Sequence, residues 1–183
     1  VDLALDYAHM LSIDRQLFIA GACTGSGAVA IALALHLPQA VVYATDISRE
    51  ALDTALLNCK DHSVDNRVIL IEGNLLSEIT TPLDIVVSNP PYIPSDDIYD
   101  LDRDVLSEPL IALDGGKDGL DIVRSLIPQV VMKLRKPGMF IMETFPDNSE
   151  EACTLFHAYA PKSSIALHLD FAGKQRAMLA KIY

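Results

Sequence analysis

The four residues Asn89-Pro90-Pro91-Tyr92 combine groups that could hold a planar amide or amine for reaction. Two successive prolines fix the backbone angle φ and remove two N–H groups, which leaves carbonyl oxygens free to accept hydrogen bonds. Asn89 supplies a side-chain acceptor and Tyr92 a flat ring. Two acceptors would fix both hydrogens of an NH₂ group, so that its nitrogen points at an electrophile. The pattern predicts group transfer to an amide or amine nitrogen; the alternative is a rigid proline turn after a strand.

A second set of residues, Cys23-Thr24-Gly25-Ser26-Gly27, forms a small-residue turn before a helix-forming segment. Glycines let the backbone approach a ligand, and the helix that follows offers unpaired N–H groups. Asp46 follows at about the spacing of the acidic residue that binds a ribose hydroxyl in nucleotide-binding sheets. Because Cys23 and Ala30 replace glycines of G-x-G-x-x-G, a cofactor without phosphates is favoured over a dinucleotide. The alternative is a tight turn with a surface aspartate that caps the next helix.

Alternating apolar runs and helix-forming segments place both sets at one edge of an open α/β sheet. The pattern predicts strands at residues 17–22, 41–45, 68–72, 83–88 and 139–143, an opening helix through residues 3–11 that ends before Asp14, further helices at 28–37, after Ser48, at 119–134 and at 149–158, and a closing antiparallel hairpin of residues 164–170 and 176–183. The irregular stretch 89–117 is too long for an ordinary connection, and such loops are usually functional. Ligands of open sheets bind beyond the carboxyl ends of the strands, where both sets lie.

With these motifs, the chain resembles the class I S-adenosylmethionine-dependent methyltransferases over essentially all of its 183 residues. It is most similar to the HemK-type family, which methylates a glutamine side chain of peptide chain release factors. The resemblance implies a Rossmann-like fold whose seven-stranded, mostly parallel sheet ends in a C-terminal antiparallel hairpin. It implies cofactor contacts at Cys23, Thr24, Gly25, Ser26, Gly27, Asp46, Asn74, Leu75 and Asn89, catalytic roles for Asn89, Pro90 and Tyr92, and acceptor contacts at Asn89, Pro90, Pro91 and Tyr92.

Other segments refine this resemblance. The run from Glu108-Pro109 to Asp118-Gly119-Leu120 is similar to the family's sequence after the catalytic motif, and adenine-methylating enzymes with Asn-Pro-Pro-Tyr generally lack it. The chain departs from the family at Gly21 and Asn74, where Asp is usual, and after Glu143, where Ile-Gly is usual. Residues 1–183 are expected to form the catalytic domain, without the family's upstream helical docking domain.

Composition excludes several classes of function. Fourteen basic and twenty-five acidic residues give a net charge of −11, which disfavours duplex nucleic acid as a partner. Three cysteines without C-x-x-C spacing predict reduced thiols in a cytoplasmic protein, and the scattered histidines predict no metal site. The aspartates between positions 96 and 104 predict a solvated face rather than a calcium loop. No apolar run is long enough to span a membrane.

The residues and the resemblance together predict methyl transfer from S-adenosylmethionine to the side-chain amide nitrogen of a glutamine in a release factor. Two alternatives remain open. One is transfer to an exocyclic amine of adenine or guanine, since any flat NH₂ group fits the same acceptors. The other is a cofactor-binding domain without turnover, to which the changes at Gly21 and Asn74 point. The sequence does not indicate an oligomeric state.

Overall fold

The computed structural model describes residues 1–11 and 15–183. Within them, the strands are β1 (Leu17–Ala22), β2 (Ala40–Asp46), β3 (Val68–Glu72), β4 (Leu83–Ser88), β5 (Leu134–Glu143), β6 (Ser164–Leu169) and β7 (Gln175–Ile182), and the α-helices are α1 (Asp2–Met10), α2 (Ala28–His36), α3 (Arg49–Asp61), α4 (Leu110–Leu113), α5 (Asp121–Lys133) and α6 (Ser149–Tyr159). Short 3₁₀ turns cover Ile98–Asp100, Val105–Ser107 and Pro146–Asn148.

The strands form one sheet in the order β3-β2-β1-β4-β5-β7-β6. The first five strands are parallel, and β7 is antiparallel to both β5 and β6. The predicted α/β architecture with its closing hairpin is therefore confirmed. Because the chain runs from β1 towards β3 on one side and continues from β4 towards β5 on the other, the order reverses between β1 and β4. Open sheets bind ligands at such a reversal.

Two apolar layers hold the helices on opposite faces of the sheet. One cluster packs α1, α2 and α3 against side chains such as Ile19 and Ile85. The other packs α5 and α6 against the opposite face through Phe140 and Phe156, whose rings stack at 5.7 Å. The central strand β4 is buried throughout, as a parallel strand covered on both faces must be. The carboxyl edge of the sheet is left for the connecting loops.

Two predicted boundaries differ from the structure. A strand was expected at residues 139–143, but β5 already begins at Leu134, ahead of the turn-forming residues Lys136-Pro137-Gly138, and pairs there with Leu83. The next pair in the register is Ile85 with Met139. The turn residues therefore form a bulge in β5, and pairing with β4 continues after them. The stretch 89–117 is irregular, as expected, but it also contains α4 and two 3₁₀ turns. Asp14, before which the first helix was expected to end, lies outside the described residues.

Candidate active site

The turn between β1 and α2 is held in a left-handed conformation at three positions. Cys23, Gly25 and Gly27 have φ angles of 56°, 53° and 82°, which glycine adopts without strain and cysteine does not. A Cβ on Gly27 would lie 3.1 Å from the Cβ of Ala55, so the turn also lets α2 pack closely on α3. The Thr24 N–H donates to the carbonyl of Thr45 at 2.9 Å and ties the turn to β2.

Asp46, at the end of β2, binds this turn directly. Its Oδ2 accepts a hydrogen bond from the Gly25 N–H, and its Oδ1 accepts one from the Ser48 N–H, both at 2.9 Å. The hydroxyl of Ser48 in turn accepts from the Ala51 N–H at 3.2 Å and caps α3, as the sequence predicted. Asp46 is half-buried, and each carboxylate oxygen keeps a further lone pair for a ligand hydroxyl. Asp46 therefore orders the turn and the entry to α3, and it remains able to accept a ligand bond.

Cys23 occupies the first position of the turn and is half-buried. Burial, followed by the nearby negative charge of Asp46, raises the pKa of its thiol to about 12. A cysteine reacts as its thiolate, so this raised pKa disfavours reaction of Cys23 at neutral pH. Cys23 lines the cleft.

A cleft of about 470 Å³ opens at the β1–β4 reversal. Its size falls within the usual range of about 300 to 1,000 Å³ for small-ligand sites. It brings together the glycine turn, Asn89, the ends of three strands and the start of the chain. Its walls are formed by Val1, Leu3, Gly21, Ala22, Cys23, Thr24, Gly25, Ser26, Ala28, Val29, Val87, Ser88, Asn89, Glu108, Ala112, Ile141, Glu143, Arg176 and Ala177.

The tetrapeptide Asn89–Tyr92 leaves the end of β4 at this cleft. Asn89 is exposed and lines the cleft, Pro90 is buried, and Pro91 and Tyr92 are half-buried. The Ser88 hydroxyl donates to the carbonyl of Ala22 at 3.0 Å and so holds the ends of β4 and β1 together. Within the described residues, the Asn89 side chain makes no hydrogen bond to protein, so its amide oxygen is available to a substrate.

Tyr92 does not line the cleft but contacts Glu143, which does. Its hydroxyl donates to Oε1 of Glu143 at 2.9 Å, and its ring stacks on Phe145 with centroids 6.2 Å apart. Burial and then the charge of Glu143 raise the pKa of Tyr92 to about 12, so the phenol stays protonated at neutral pH. The ring is thus fixed from two sides, by groups 51 or more positions later in the chain.

The segment that follows α4 supports the tetrapeptide. Ile93 pairs with Asp114, its N–H donating to Leu113 and its carbonyl accepting from Gly115. Gly119, with φ +74°, lies so close to the tetrapeptide that a Cβ there would be 2.2 Å from the carbonyl oxygen of Tyr92. Asp114 and Gly115 thus hold the residue that directly follows the tetrapeptide.

Asn74 and Leu75 lie at the same edge of the sheet, away from the cleft walls. The Gly73 N–H donates to the Asp46 carbonyl at 3.0 Å, so the exposed Asn74 follows directly beside Asp46. Leu75 is buried with φ +59°. The structure therefore groups the two residues with Asp46 rather than with Asn89.

Three charged residues of the cleft, Glu108, Glu143 and Arg176, were not expected from the sequence as site residues. Glu143 ends β5, and its position at a strand's carboxyl end could have suggested a role. Arg176 gave no such signal, because only the antiparallel pairing of β5 with β7, in which Glu143 faces Ala177, brings it to this edge.

One polar group in the cleft lacks a partner among the described residues. The hydroxyl oxygen of Thr24 is buried without a hydrogen-bond partner in the described part of the chain, and Thr24 lines the cleft. Such a group requires a ligand or water partner, since an unsatisfied buried hydroxyl is costly. A Cβ at Gly21 would lie 3.9 Å from this hydroxyl oxygen, an ordinary van der Waals contact.

No helix among residues 1–11 and 15–183 is long and apolar enough to cross a membrane. The same residues contain no group of three or more His, Cys, Asp or Glu side chains placed to hold a metal ion.

Comparison with known proteins identifies the family. The sequence model of the methyltransferase small domain matches residues 9–116. The chain is 42% identical over 163 residues to the release factor glutamine methyltransferase of Moorella thermoacetica, a match that covers 88% of this chain and 58% of that protein. It is 38% identical over 136 residues to the ribosomal protein uL3 glutamine methyltransferase of Bradyrhizobium diazoefficiens, covering 74% of this chain and 42% of that protein.

Among solved structures, the ribosomal protein L11 methylase of Lactobacillus delbrueckii subsp. bulgaricus superposes with a TM-score of 0.68 at 21% identity, covering 100% of this chain and 77% of that one. This similarity concerns the fold. The glycine turn, Asp46 and the Asn-Pro-Pro-Tyr motif all fall inside the 9–116 match, which exceeds half of the sequence. The chain therefore belongs to the methyltransferase small domain family.

Proposed function

We propose that this protein transfers a methyl group from S-adenosylmethionine to the side-chain amide nitrogen of a glutamine in a peptide chain release factor, in the cytoplasm. The observation that carries the proposal is the shared cleft: Asn89, with a free amide, lines the same cavity as the glycine turn. A methyl donor on the turn and an amide at Asn89 would meet at the β1–β4 reversal.

The donor would be held mainly by backbone groups of the turn and by Asp46. The carboxylate of Asp46 suits two ribose hydroxyls, and the unpartnered hydroxyl of Thr24 suits a polar group deeper in the cleft. Asn74 and Leu75, beside Asp46, would border the base. When bound, S-adenosylmethionine supplies a sulfonium methyl that an amide nitrogen can attack.

The acceptor amide would be held by Asn89 and the Pro90 carbonyl, each accepting one N–H of the NH₂ group. This arrangement aims the nitrogen along the line to the methyl carbon and stabilises the positive charge that grows on nitrogen. Tyr92, fixed by Glu143 and Phe145, would bound the amide on one side. Methylation would leave the acceptor nitrogen with a surplus proton, which would pass to water.

The relatives support glutamine as the acceptor, because both curated relatives named above are glutamine methyltransferases. The release factor is the first candidate, since the Moorella relative has the higher identity and the longer match. The ribosomal protein uL3 is the second, on the strength of the Bradyrhizobium relative. The chain spans 58% and 42% of the lengths of these two proteins. We propose residues 1–183 as the methyl-transfer domain, with further acceptor contacts from segments the relatives carry outside the match.

Radiolabelled methyl transfer tests the proposal. The protein is incubated with labelled S-adenosylmethionine and, separately, with a purified release factor, uL3, tRNA and duplex DNA. We expect label on the release factor, with none when its acceptor glutamine is replaced by alanine. Label on tRNA or DNA alone would establish the exocyclic amine alternative. Calorimetric binding of the donor with no transfer to any acceptor would favour a binding domain without turnover.

A further inference from the structure

A second cavity, of about 440 Å³, lies next to the cleft. We call it the hairpin groove. Two short segments form its walls: Phe145, Pro146 and Asp147, which follow β5, and Lys174, Gln175 and Arg176, which open β7. Arg176 lines both the groove and the cleft. The two cavities are therefore neighbours at the carboxyl edge of β5.

The walls of the groove are fixed to each other and to the catalytic tetrapeptide. The buried Ser149 hydroxyl links the carbonyl oxygen of Pro146, at 2.9 Å, to the side-chain amide of Gln175. On the cleft side, the Phe145 ring stacks on Tyr92. The groove is thus preformed, and its position relative to Tyr92 is set by these contacts.

The turn that ends the groove presents an apolar ring to water. Asp170 accepts hydrogen bonds from the N–H groups of Ala172 and Lys174 through Oδ1, both at 2.9 Å, and its Oδ2 lies 3.5 Å from Nε of Arg176. The backbone N–H of Lys174 is the main cause of a lowered pKa at Asp170, so the carboxylate stays charged and keeps the turn closed. Phe171, between these residues, is fully exposed at 115%. A single exposed ring is common on protein surfaces; this one matters because its turn leads directly into Lys174, which lines the groove.

Charge decides between a polypeptide and a nucleic acid as the occupant. Lys174 and Arg176 contribute two positive charges at the groove, and Asp147 and Asp170 contribute two negative ones. A phosphate backbone requires a net positive surface, which this balanced set does not offer. An uncharged stretch of polypeptide, with apolar side chains for Phe145 and Phe171, fits it better.

We propose that the hairpin groove binds the acceptor polypeptide on one side of the methylated glutamine, with Phe171 contacting an apolar side chain of the acceptor. The inference rests on the proposed function, because a glutamine held at Asn89 must continue as a chain past Tyr92, and Arg176 and Phe145 border that exit. The groove thereby adds acceptor contacts without touching the donor.

Peptide binding tests the groove directly. The probe is a fluorescein-labelled peptide of about 15 residues centred on the acceptor glutamine of a release factor, titrated with the protein at saturating S-adenosylhomocysteine. Phe171→Ala should raise the Kd of the peptide about 5- to 20-fold, the usual effect of removing an aromatic contact. Met132→Ala is the matched control: Met132 is 80% exposed at the end of α5, at the opposite edge of the sheet, and should leave the Kd unchanged.

A second pair of variants tests the groove itself. Asp147 is exposed and lines it, so Asp147→Trp should fill it and raise the Kd about 10-fold or more, whereas Asp147→Asn, which removes the same charge without filling space, should not. None of the four variants should change the affinity for S-adenosylhomocysteine. Peptides truncated on either side of the glutamine complete the test, and the Phe171→Ala effect should vanish for one truncation and persist for the other.

Wild-type affinity in both Phe171→Ala and Asp147→Trp, with normal peptide binding by the wild-type protein, would overturn the groove and leave the proposed function intact. Failure of the wild-type protein both to bind the glutamine peptide and to methylate the release factor would remove the proposed function and the groove together.

Discussion

Replacement of Asp46 by alanine should lower both the stability of the protein and its affinity for the methyl donor. The carboxylate accepts one N–H bond from Gly25 and one from Ser48, each at 2.9 Å. Hydrogen bonds to a charged group contribute about 1.5 to 3 kcal/mol each, and half-burial places these at the low end because water can replace part of the loss. We expect the free energy of unfolding to fall by about 2 to 4 kcal/mol.

The effect on the donor is a separate quantity. Loss of the hydrogen bonds from ribose hydroxyls to Asp46 should cost about 1.5 to 3 kcal/mol of binding free energy, or roughly a 10- to 150-fold higher Kd. Asp46→Asn keeps one acceptor oxygen but turns an NH₂ group towards the second backbone N–H. Asp46→Asn should therefore lose less stability and less donor affinity than Asp46→Ala. Its loss of stability should still be close to that of alanine, because the new NH₂ group faces a backbone N–H.

Urea denaturation measures the first quantity, and calorimetric titration with S-adenosylhomocysteine measures the second. Asp53→Ala is the control, since it removes the same charge from α3, where Asp53 makes only an exposed ion pair with Arg49 among the described residues, worth at most about 1 kcal/mol. A Kd equal to that of the wild type in Asp46→Ala, beside a clear loss of stability, would make Asp46 a structural residue of the turn only. No change in either quantity would refute the geometry of the turn.

Three further outcomes are expected. Asn89→Ala should lower turnover in the radiolabel assay by about 100-fold or more, as the loss of one preorganised polar contact does, while calorimetry shows little change in donor affinity; turnover above a tenth of wild type would make Asn89 structural. Gly119→Ala should lower the free energy of unfolding in urea by about 3 kcal/mol or more, because its Cβ would meet the Tyr92 carbonyl at 2.2 Å. Gly173→Ala is the control: Gly173 has a similar φ of +78° and nothing within 4 Å of the added Cβ, so it should cost only about 1 kcal/mol. The folded state raises the pKa of the Cys23 thiol from 9.0 to about 12. Its contribution to the free energy of unfolding is therefore complete below pH 9 and is lost as pH rises towards 12. In Cys23→Ser, the free energy of unfolding measured across that range should lack this part of the decline.

Much of the fold could be predicted from the sequence because its signals are local. Continuous apolar runs marked the buried parallel strands, Ser48 marked the start of α3, and the small-residue turn after β1 marked the ligand-binding edge of the sheet. The start of β5 could not be predicted this way. Leu134 joins the sheet through its pairing with Leu83, a tertiary contact that overrides the turn signal of Lys136-Pro137-Gly138.

In the candidate site, too, some residues are recognised from local sequence and others depend on long-range contacts. The glycine turn, Asp46 and Asn89 are each recognised within a few residues of sequence, and the structure places the turn and Asn89 in one cleft. The surroundings of Tyr92 are not local. Its partner Glu143 and its stacking partner Phe145 lie more than 50 positions away, and Arg176 reaches the cleft only through an antiparallel pairing.

Rigidity is distributed unevenly over the tetrapeptide, and that distribution explains how it could work. Ser88 is bonded to the end of β1, the Tyr92 carbonyl is enclosed by Gly119, and the Tyr92 hydroxyl is held by Glu143. Between these fixed points, the amide of Asn89 stands free in the described structure and is exposed to the cleft. A free acceptor on an immobilised backbone costs little reorganisation when an amide arrives, which is what preorganised stabilisation of a developing charge requires. The proline pair thus makes the motif stiff. The residues that hold its two ends would set the position of an acceptor amide nitrogen bound at Asn89.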